Sequence, residues 1–417
     1  MNIKQQLSNL RVDIARLLSR IDQLAEIGAL DGGGVCRLAL TDDDCRGRDL
    51  VSGWMKDLGL EVSVDRIGNV IGLRKGIESG APVTIGSHID TVATGGPYDG
   101  NLGVLAGLEV ISVLNDAGIE TMRPLAVGFF TNEEGARFAP DMMGSGVHQG
   151  AMDLDEMLAV EGIDGTRVGE DLERIGYAGT EPCGDFRAHS YFELHVEQGP
   201  VLEEENTVIG AVTGVQGISW TEYRLTGVSN HAGTTPMRLR HDAGYVAAAI
   251  AVEARRLATQ MGGDQVATVG VTEFKPNLVN VIPNHALLTL DLRNTDEALL
   301  KQAEAHMAGF IAQTAGAERV EVSSRTLARF APVIFDGQMI DLVNSTAQQL
   351  GYSVRRMPSG AGHDAQMFAP NCPTGMIFVP SVDGISHNIK EFTEQSDIEA
   401  GANVLLQVVL SQAIEED

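Results

Sequence analysis

The chain has 417 residues, 43% hydrophobic and 21% charged, which is longer than one compact core accommodates and ordinary in composition for a globular protein. Lysine and arginine number 30 against 57 aspartates and glutamates, and the resulting net charge of −27 repels phosphate backbones and anionic lipid, so neither nucleic acid nor a membrane is an expected partner. Four scattered cysteines (Cys36, Cys45, Cys183 and Cys372) without a CxxC pair predict reduced thiols and no disulfide framework.

The first eighteen residues, MNIKQQLSNLRVDIARLL, carry charges throughout and lack the apolar core of a signal peptide. No run approaches 18 uninterrupted apolar residues, so no spanning helix is expected and the location expected is cytoplasmic. Ile14, Leu17, Leu18, Ile21, Leu24 and Ala25 recur at helical spacing and predict a first helix. Leu50, Val51, Trp54, Met55 and Leu58 predict a second, ending near Gly59. Apolar runs at 83–87, 125–131 and 191–196 read as buried strands, with a helix over 104–114 between the first two. That alternation predicts a largely parallel sheet covered by helices on both faces.

The texture changes after Gly214. A strand over 218–226, an Ala-rich helix over 243–258, strands at 266–272 and 286–293, a helix over 297–314 and a strand at 319–323 follow in β-α-β-β-α-β order. After Phe330 the earlier style resumes and ends in a helix over 398–414. The expected fold is therefore α/β: a larger α/β domain, in two parts at 1–213 and 330–417, with a smaller split-βαβ α+β domain inserted at 214–329.

Five segments carry candidate chemistry. GSHIDT at 86–91 follows an apolar run, and in an open parallel sheet functional groups collect past the strand carboxyl ends. There His88 suits a metal ligand, and Asp90 is placed to accept from its other ring nitrogen. GGPYDGNLG at 95–103 sets Asp99 among glycines, and TNEEG at 131–135 sets Glu133 beside Glu134. His195 opens HVEQGP at 195–200, and His387 lies in GISHN at 384–388. Taken singly, each has a plain alternative: a turn histidine, a helix N-cap at Asp99 or Asn101, a solvated carboxylate pair. Together, three histidines, an aspartate and a glutamate make a plausible nitrogen/oxygen binuclear site, suited to Zn²⁺ or Mn²⁺. The triple Asp42, Asp43 and Asp44 reads as a helix start, not a calcium loop.

In this order the five segments resemble the metal-dependent amidohydrolases of the M20 peptidase superfamily. More narrowly they resemble its hydantoinase/carbamoylase branch of N-carbamoyl-L-amino acid hydrolases, allantoate amidohydrolases and β-ureidopropionases. HVEQGP and the run Glu134, Gly135, Ala136, Arg137 and Phe138 carry the narrower likeness. The resemblance implies a metal-binding larger domain in which His88, Asp99, Glu134, His195 and His387 hold two divalent ions, with Asp99 bridging. Co²⁺ and Ni²⁺ remain open beside Zn²⁺ and Mn²⁺. It makes Glu133 the general base and Asp90 the partner of His88. His231 in NHAG at 230–233 becomes the group that polarises the scissile carbonyl or holds its oxyanion. Asn280 and Arg293 become ligands of a substrate carboxylate, Gln198 a ligand of its ureido end, and the loop through Gly360 and Ala361 a source of backbone N–H groups. His363 and His189 are expected at the surface or behind the site.

The resemblance further implies that the inserted domain is a lid and homodimerisation domain. The substrate it implies is a small molecule with ureido and carboxylate ends, an N-carbamoyl-L-amino acid first, allantoate second, an N-acyl amino acid or dipeptide third. Neither GxxxxGK[ST], nor GxGxxG after a strand, nor GxSxG occurs, which disfavours nucleotide binding and serine hydrolysis. A non-enzymatic binding module would need a signal peptide and would have no use for Glu133.

Overall fold

The computed structural model describes residues 7–185 and 187–414. The outermost residues of the two expected catalytic segments, 1–6 and 415–417, lie outside the described residues. The chain divides into two compact units, Met1–Thr213 with Ile334–Asp417, and Gly214–Val333. Along the first part run β1 (Glu61–Val64), β2 (Val70–Arg74), β3 (Val83–His88), β4 (Leu125–Phe130), β5 (Ser190–Val196) and β6 (Ile209–Val215). Then come β7 (Gly217–Thr226), β8 (Val266–Lys275), β9 (His285–Asn294) and β10 (Glu321–Phe330). The chain returns through β11 (Val333–Ile334), β12 (Val354–Ser359) and β13 (Thr374–Val379).

The larger sheet has nine strands in the order β1-β2-β4-β3-β5-β13-β6-β11, with β12 paired to β6. Its centre is parallel. Strand β3 pairs in parallel with β4 and β5, and β5 with β13, so that His88 lies beside Phe130 and His195 beside Phe378. These strands are buried end to end, as expected where helices cover both faces. Helices Asn101–Asp116 and Gln395–Ile414 approach closely at Gly103 and Gly401, where an added Cβ would come within 2.6 Å of the Leu194 carbonyl oxygen and 2.5 Å of Val379. Glu193, the neighbour of Leu194, is bonded instead to the helix Asp364–Phe368.

The sheet departs from the largely parallel expectation at its margins. The hairpin of β1 and β2 is antiparallel, as are the pairings of β2 with β4 and of β13 with β6. The hairpin's turn is set by Asp65, whose carboxylate accepts from the amides of Ile67 and Asn69. At 42–44 the helix Asp42–Asp57 is capped by Thr41, and the three acids occupy its first turn, with Asp44 bonded to Arg48 at 2.8 Å.

The second unit is an antiparallel sheet in the order β10-β7-β9-β8 with helices Ala243–Met261 and Glu297–Glu318. Its core joins Leu288, Leu290 and Leu292, on alternate residues of β9, to Val246, Ile250, Leu300 and Met307. The second helix runs to Glu318, and Arg319 then turns into the left-handed region before β10. That strand covers ten residues, longer than its apolar content announces, because nearly all its positions stay exposed. Among the described residues no helix is long and apolar enough to cross a membrane.

Candidate active site

The carboxyl ends of β3, β4 and β5 deliver three of the five segments to one place. His88 ends β3 and is buried, with Nδ1 2.9 Å from the backbone oxygen of Asp90. A carbonyl only accepts, so Nδ1 carries the proton and Nε2 presents a lone pair. That Nε2 lies 3.3 Å from Glu133 Oε2 and 3.6 Å from Asp99 Oδ1. His195 repeats the pattern. Its Nδ1 is 2.8 Å from the Val196 carbonyl oxygen, and its Nε2 accepts from the Gly100 amide at 3.1 Å and lies 3.2 Å from Asp99 Oδ1. Gly100, at φ 66°, is required here, because a Cβ would sit 2.4 Å from the His88 ring.

The other oxygen of Asp99 faces a second group. His387, whose side chain is half exposed, brings Nε2 to 3.5 Å from Asp99 Oδ2 and 3.3 Å from Glu134 Oε2. Donor atoms of His88, Asp99 and His195 lie within 4.8 Å of one another, as do those of Asp99, Glu134 and His387. Two imidazole lone pairs aimed at one carboxylate oxygen repel it unless a cation stands between them, a proton in the bare protein or a metal ion. The donor set of nitrogens and oxygens, with no thiolate, fits a borderline or hard divalent ion.

The electrostatics agree. Burial drives the Glu133 carboxyl well above its ordinary range, and Asp364, Glu134 and Asp90 add to this against the pull of His88. Glu134 is raised by burial and then by Asp99. Burial opposes charge on His88, but Glu133, the contact with Asp99 and Asp90 together hold its imidazole well above the usual range. Asp99, despite burial, is held well below by His195 and His88.

The Asp90 expectation needs correction. His88 is bonded to the backbone oxygen of Asp90, whereas the Asp90 carboxylate accepts from the amides of Glu133 and Glu134, both at 3.3 Å. The tight turn after β3 brings the carbonyl round to the ring and leaves the side chain to fix the Glu-Glu loop. Gln198, at φ 58°, donates through Nε2 to Asp99 Oδ2 at 2.9 Å, and its buried Oε1 has no partner among the described residues. The Ala361 amide is taken by Ser359 Oγ at 3.1 Å, and that hydroxyl lies 2.8 Å from His363 Nε2. His363 is buried, contrary to a surface assignment, and burial and the neighbouring His195 hold its imidazole well below the usual range.

In the second unit, His231 is exposed, and its Nδ1 accepts from the amides of Gly233 and Thr234 at 3.0 and 3.2 Å. Nε2 is therefore the nitrogen that carries the proton, which makes it a donor. The Ala232 amide bonds to the Asn280 carbonyl at 2.9 Å, which brings His231 and Asn280 into one loop cluster. Arg293 stands apart from them. It pairs with Asp291 at 3.1 Å and lies over Trp220, and in the sheet it is opposite Ile218. His285, eight residues earlier, is opposite Thr226 at the other end, and the His231 and Asn280 loops lie beyond that end. At about 3.3 Å per residue this places Arg293 roughly 26 Å from the other end of its own strand.

The sequence profile of peptidase family M20/M25/M40 matches residues 84–411. The chain belongs to that family. It is 42% identical over 406 residues to an N-carbamoyl-L-amino-acid amidohydrolase of Rhizobium meliloti, covering 97% of this chain and 98% of the relative. It is 34% identical over 387 residues to an allantoate amidohydrolase of Escherichia coli strain K12, covering 92% and 94%. Among solved structures, an amidase of the hydantoinase/carbamoylase family from Burkholderia multivorans superposes with a TM-score of 0.96 at 47% identity, covering 98% of this chain and all of that one. The donor groups around Asp99 are of the kind that a metal-dependent family requires.

Several buried groups around this site carried no signal in the sequence. Glu193 accepts from Ser87 Oγ at 2.7 Å and from the Ala365 amide at 2.8 Å. Asp364 is fully buried, with neither carboxyl oxygen hydrogen-bonded among the described residues, and burial and Glu193 hold it well above the usual range. Glu391 accepts from the amides of Tyr98 and Asp99, and burial with Asp99 pushes its carboxyl up to about 7. A lone acid in a strand, turn or loop has no spacing to mark it. Only GAGHD at 360–364, a glycine-rich loop ending in His-Asp, could have drawn notice.

Proposed function

We propose that this chain is a binuclear metal-dependent amidohydrolase that cleaves the carbamoyl C–N bond of N-carbamoyl-L-amino acids. The observation that carries the reading is Asp99 standing between two donor groups, one oxygen toward each, with the buried carboxyl of Glu133 alongside. The likeness to the R. meliloti enzyme over nearly the whole chain supports the substrate.

His88, Asp99 and His195 would hold one ion and Asp99, Glu134 and His387 the other. Two divalent cations, Zn²⁺ or Mn²⁺ with Co²⁺ and Ni²⁺ also compatible with the donors, would supply Lewis-acid polarisation of the carbonyl and acidify water. Glu133, buried and held well above the ordinary carboxylate range, takes the proton of the attacking water and returns it to the leaving nitrogen. Asp90 fixes that base through its bonds to the Glu133 and Glu134 amides. His231 donates Nε2–H to the developing oxyanion, a contact of a few kcal/mol in such sites. Arg293 exchanges Asp291 for the substrate carboxylate, with Asn280 as a second donor. Gln198 takes the ureido end with its unsatisfied Oε1, and Gly360 and Ala361 line the loop beside it. Water adds to the carbamoyl carbon, the bond to the amino-acid nitrogen breaks, and the carbamic acid released falls to carbon dioxide and ammonia.

The domain roles belong to the same proposal. Residues 1–213 and 330–417 form the catalytic domain, and 214–329 form a lid that also joins two copies. One small substrate cannot span the roughly 26 Å between the two ends of the small sheet. A second copy that supplies His231 and Asn280, while Arg293 comes from the first, removes the conflict. The test is ammonia release by metal-reconstituted protein offered N-carbamoyl-L-amino acids, their D-forms, allantoate and N-acyl amino acids. Turnover of the L-carbamoyl set supports the reading. Turnover of allantoate alone keeps the chemistry and changes the substrate, and silence on every ureido compound refutes both.

A further inference from the structure

Glu391 belongs to neither donor group, yet it touches both loops that bear the ligands of the more exposed one. It is 4% exposed and sits four residues after His387, in a turn closed by its own amide on the Asn388 carbonyl. Its Oε1 accepts from the amides of Tyr98 and Asp99 at 3.0 and 3.1 Å. Its Oε2 lies 3.3 Å from Ser386 Oγ. That same hydroxyl lies 3.0 Å from Asp99 Oδ2, the oxygen that faces Glu134 and His387. Gly96 makes the room, since a Cβ there would stand 2.4 Å from Glu391 Cβ and Oε1.

A serine hydroxyl has one proton and can satisfy one of these two acceptors at a time. Asp99 Oδ2 cannot both accept that proton along the same lone pair and give the lone pair to an ion. From this juxtaposition, and resting on the metal-site reading above, we propose that Glu391 is a positioning residue for the ion held by Asp99, Glu134 and His387. Through the two amides it fixes the Asp99 carboxylate with one oxygen toward each donor group. Through Ser386 it offers the alternative acceptor, so that the hydroxyl swings from Asp99 Oδ2 to Glu391 Oε2 and frees the ligand oxygen. Glu391 acts on the chemistry only through Asp99 and Ser386.

The swing explains why a carboxylate, and not an amide, belongs at 391. A glutamine keeps an oxygen for the two amides but turns an NH₂ toward Ser386, which holds the serine proton on Asp99. The experiment is a competition titration of the full-length protein with Zn²⁺ against a chromophoric chelator, alongside thermal melting of the metal-free form. His387→Ala identifies which of the two binding steps belongs to the exposed group.

For Glu391→Gln the expected result is that this one step weakens about 10- to 100-fold, the range in which partners behind metal ligands act. The other step and the metal-free melting temperature stay as in the wild type. Ser386→Ala alone leaves both steps within about threefold, and Ser386→Ala combined with Glu391→Gln restores the weakened step, because no proton then competes. Gly96→Ala, which evicts the carboxylate without removing it, weakens the same step and stands in if Glu391→Gln does not fold. Two unchanged steps in Glu391→Gln overturn the proposal, as does equal weakening of both, or a double variant as weak as Glu391→Gln. A wild type that binds no ion at all overturns the metal-site reading itself and this role with it.

Discussion

Gly100→Ala puts the local geometry to a quantitative test. The residue caps the helix Asn101–Asp116 at φ 66° and ψ −49°, where an L side chain costs about 1–3 kcal/mol. The new Cβ would also stand 2.4, 2.4 and 2.5 Å from His88 Cε1, Nε2 and Cδ2. Relief to an ordinary contact moves the ring by about 1 Å, whereas metal–ligand distances tolerate about 0.2 Å. Gly118 supplies the control at the other end of the same helix, with φ 62° and nothing within 4 Å of the added Cβ. Gly118→Ala should therefore lose about 1 kcal/mol of stability and keep the wild-type affinity for both ions. Gly100→Ala should lose a similar or larger stability and, in addition, about 100-fold or more in affinity for the ion held through His88. Chelator competition with thermal melting separates the two effects. Wild-type ion affinity in Gly100→Ala would refute the placement of His88 against Gly100, and so would an equal loss of affinity in Gly118→Ala.

Three further outcomes follow from the same geometry. Metal-free protein should melt at a lower temperature at about pH 8 than at about pH 5: Glu133, Glu134 and Glu391 are raised by burial, so the folded state binds protons the unfolded chain has released, and the stabilising charge on raised His88 is lost as pH climbs. Saturating Zn²⁺ should flatten that slope, and a melting temperature that rises with pH would contradict the burial assigned to these acids. Arg293→Lys should raise KM about tenfold with a smaller effect on kcat, since a point charge replaces a planar fork, and steady-state kinetics would show the opposite split if Arg293 only braces Asp291. Co-expressed His231→Ala and Arg293→Ala chains, each inactive alone, should recover about a quarter of wild-type activity, because half the dimers are mixed and one of their two sites is intact. No recovery would place both residues in the site of a single chain.

The buried strands of the larger sheet were legible because β3, β4, β5 and β13 are continuous apolar runs, a pattern that packing on both faces imposes directly. The edge hairpin of β1 and β2 was not, since four alternating residues around a short turn resemble a loop until Asp65 is seen to close it. Strand β10 escaped for a related reason: with its side chains exposed, its length is set by backbone pairing to β7 and not by hydrophobic pattern. At the site, His88, Asp99, Glu134, His195 and His387 stood out as segments, and the structure brings their side chains together. Asp90 shows the limit of such reading. Spacing places an acid near a histidine but cannot tell that the backbone oxygen takes the ring while the carboxylate holds the next loop. Glu391 was invisible for the same reason, because its partners are amides 292 and 293 residues away in the chain.

The most direct test of the central claim is ammonia release from an N-carbamoyl-L-amino acid by the metal-loaded wild type and by Glu133→Gln, with bound metal measured in both. The account requires two ions per chain in each protein, turnover in the wild type, and a loss of about 10²- to 10⁴-fold in the variant. Comparable turnover by the variant at equal metal content, or turnover by metal-free wild type, would contradict it.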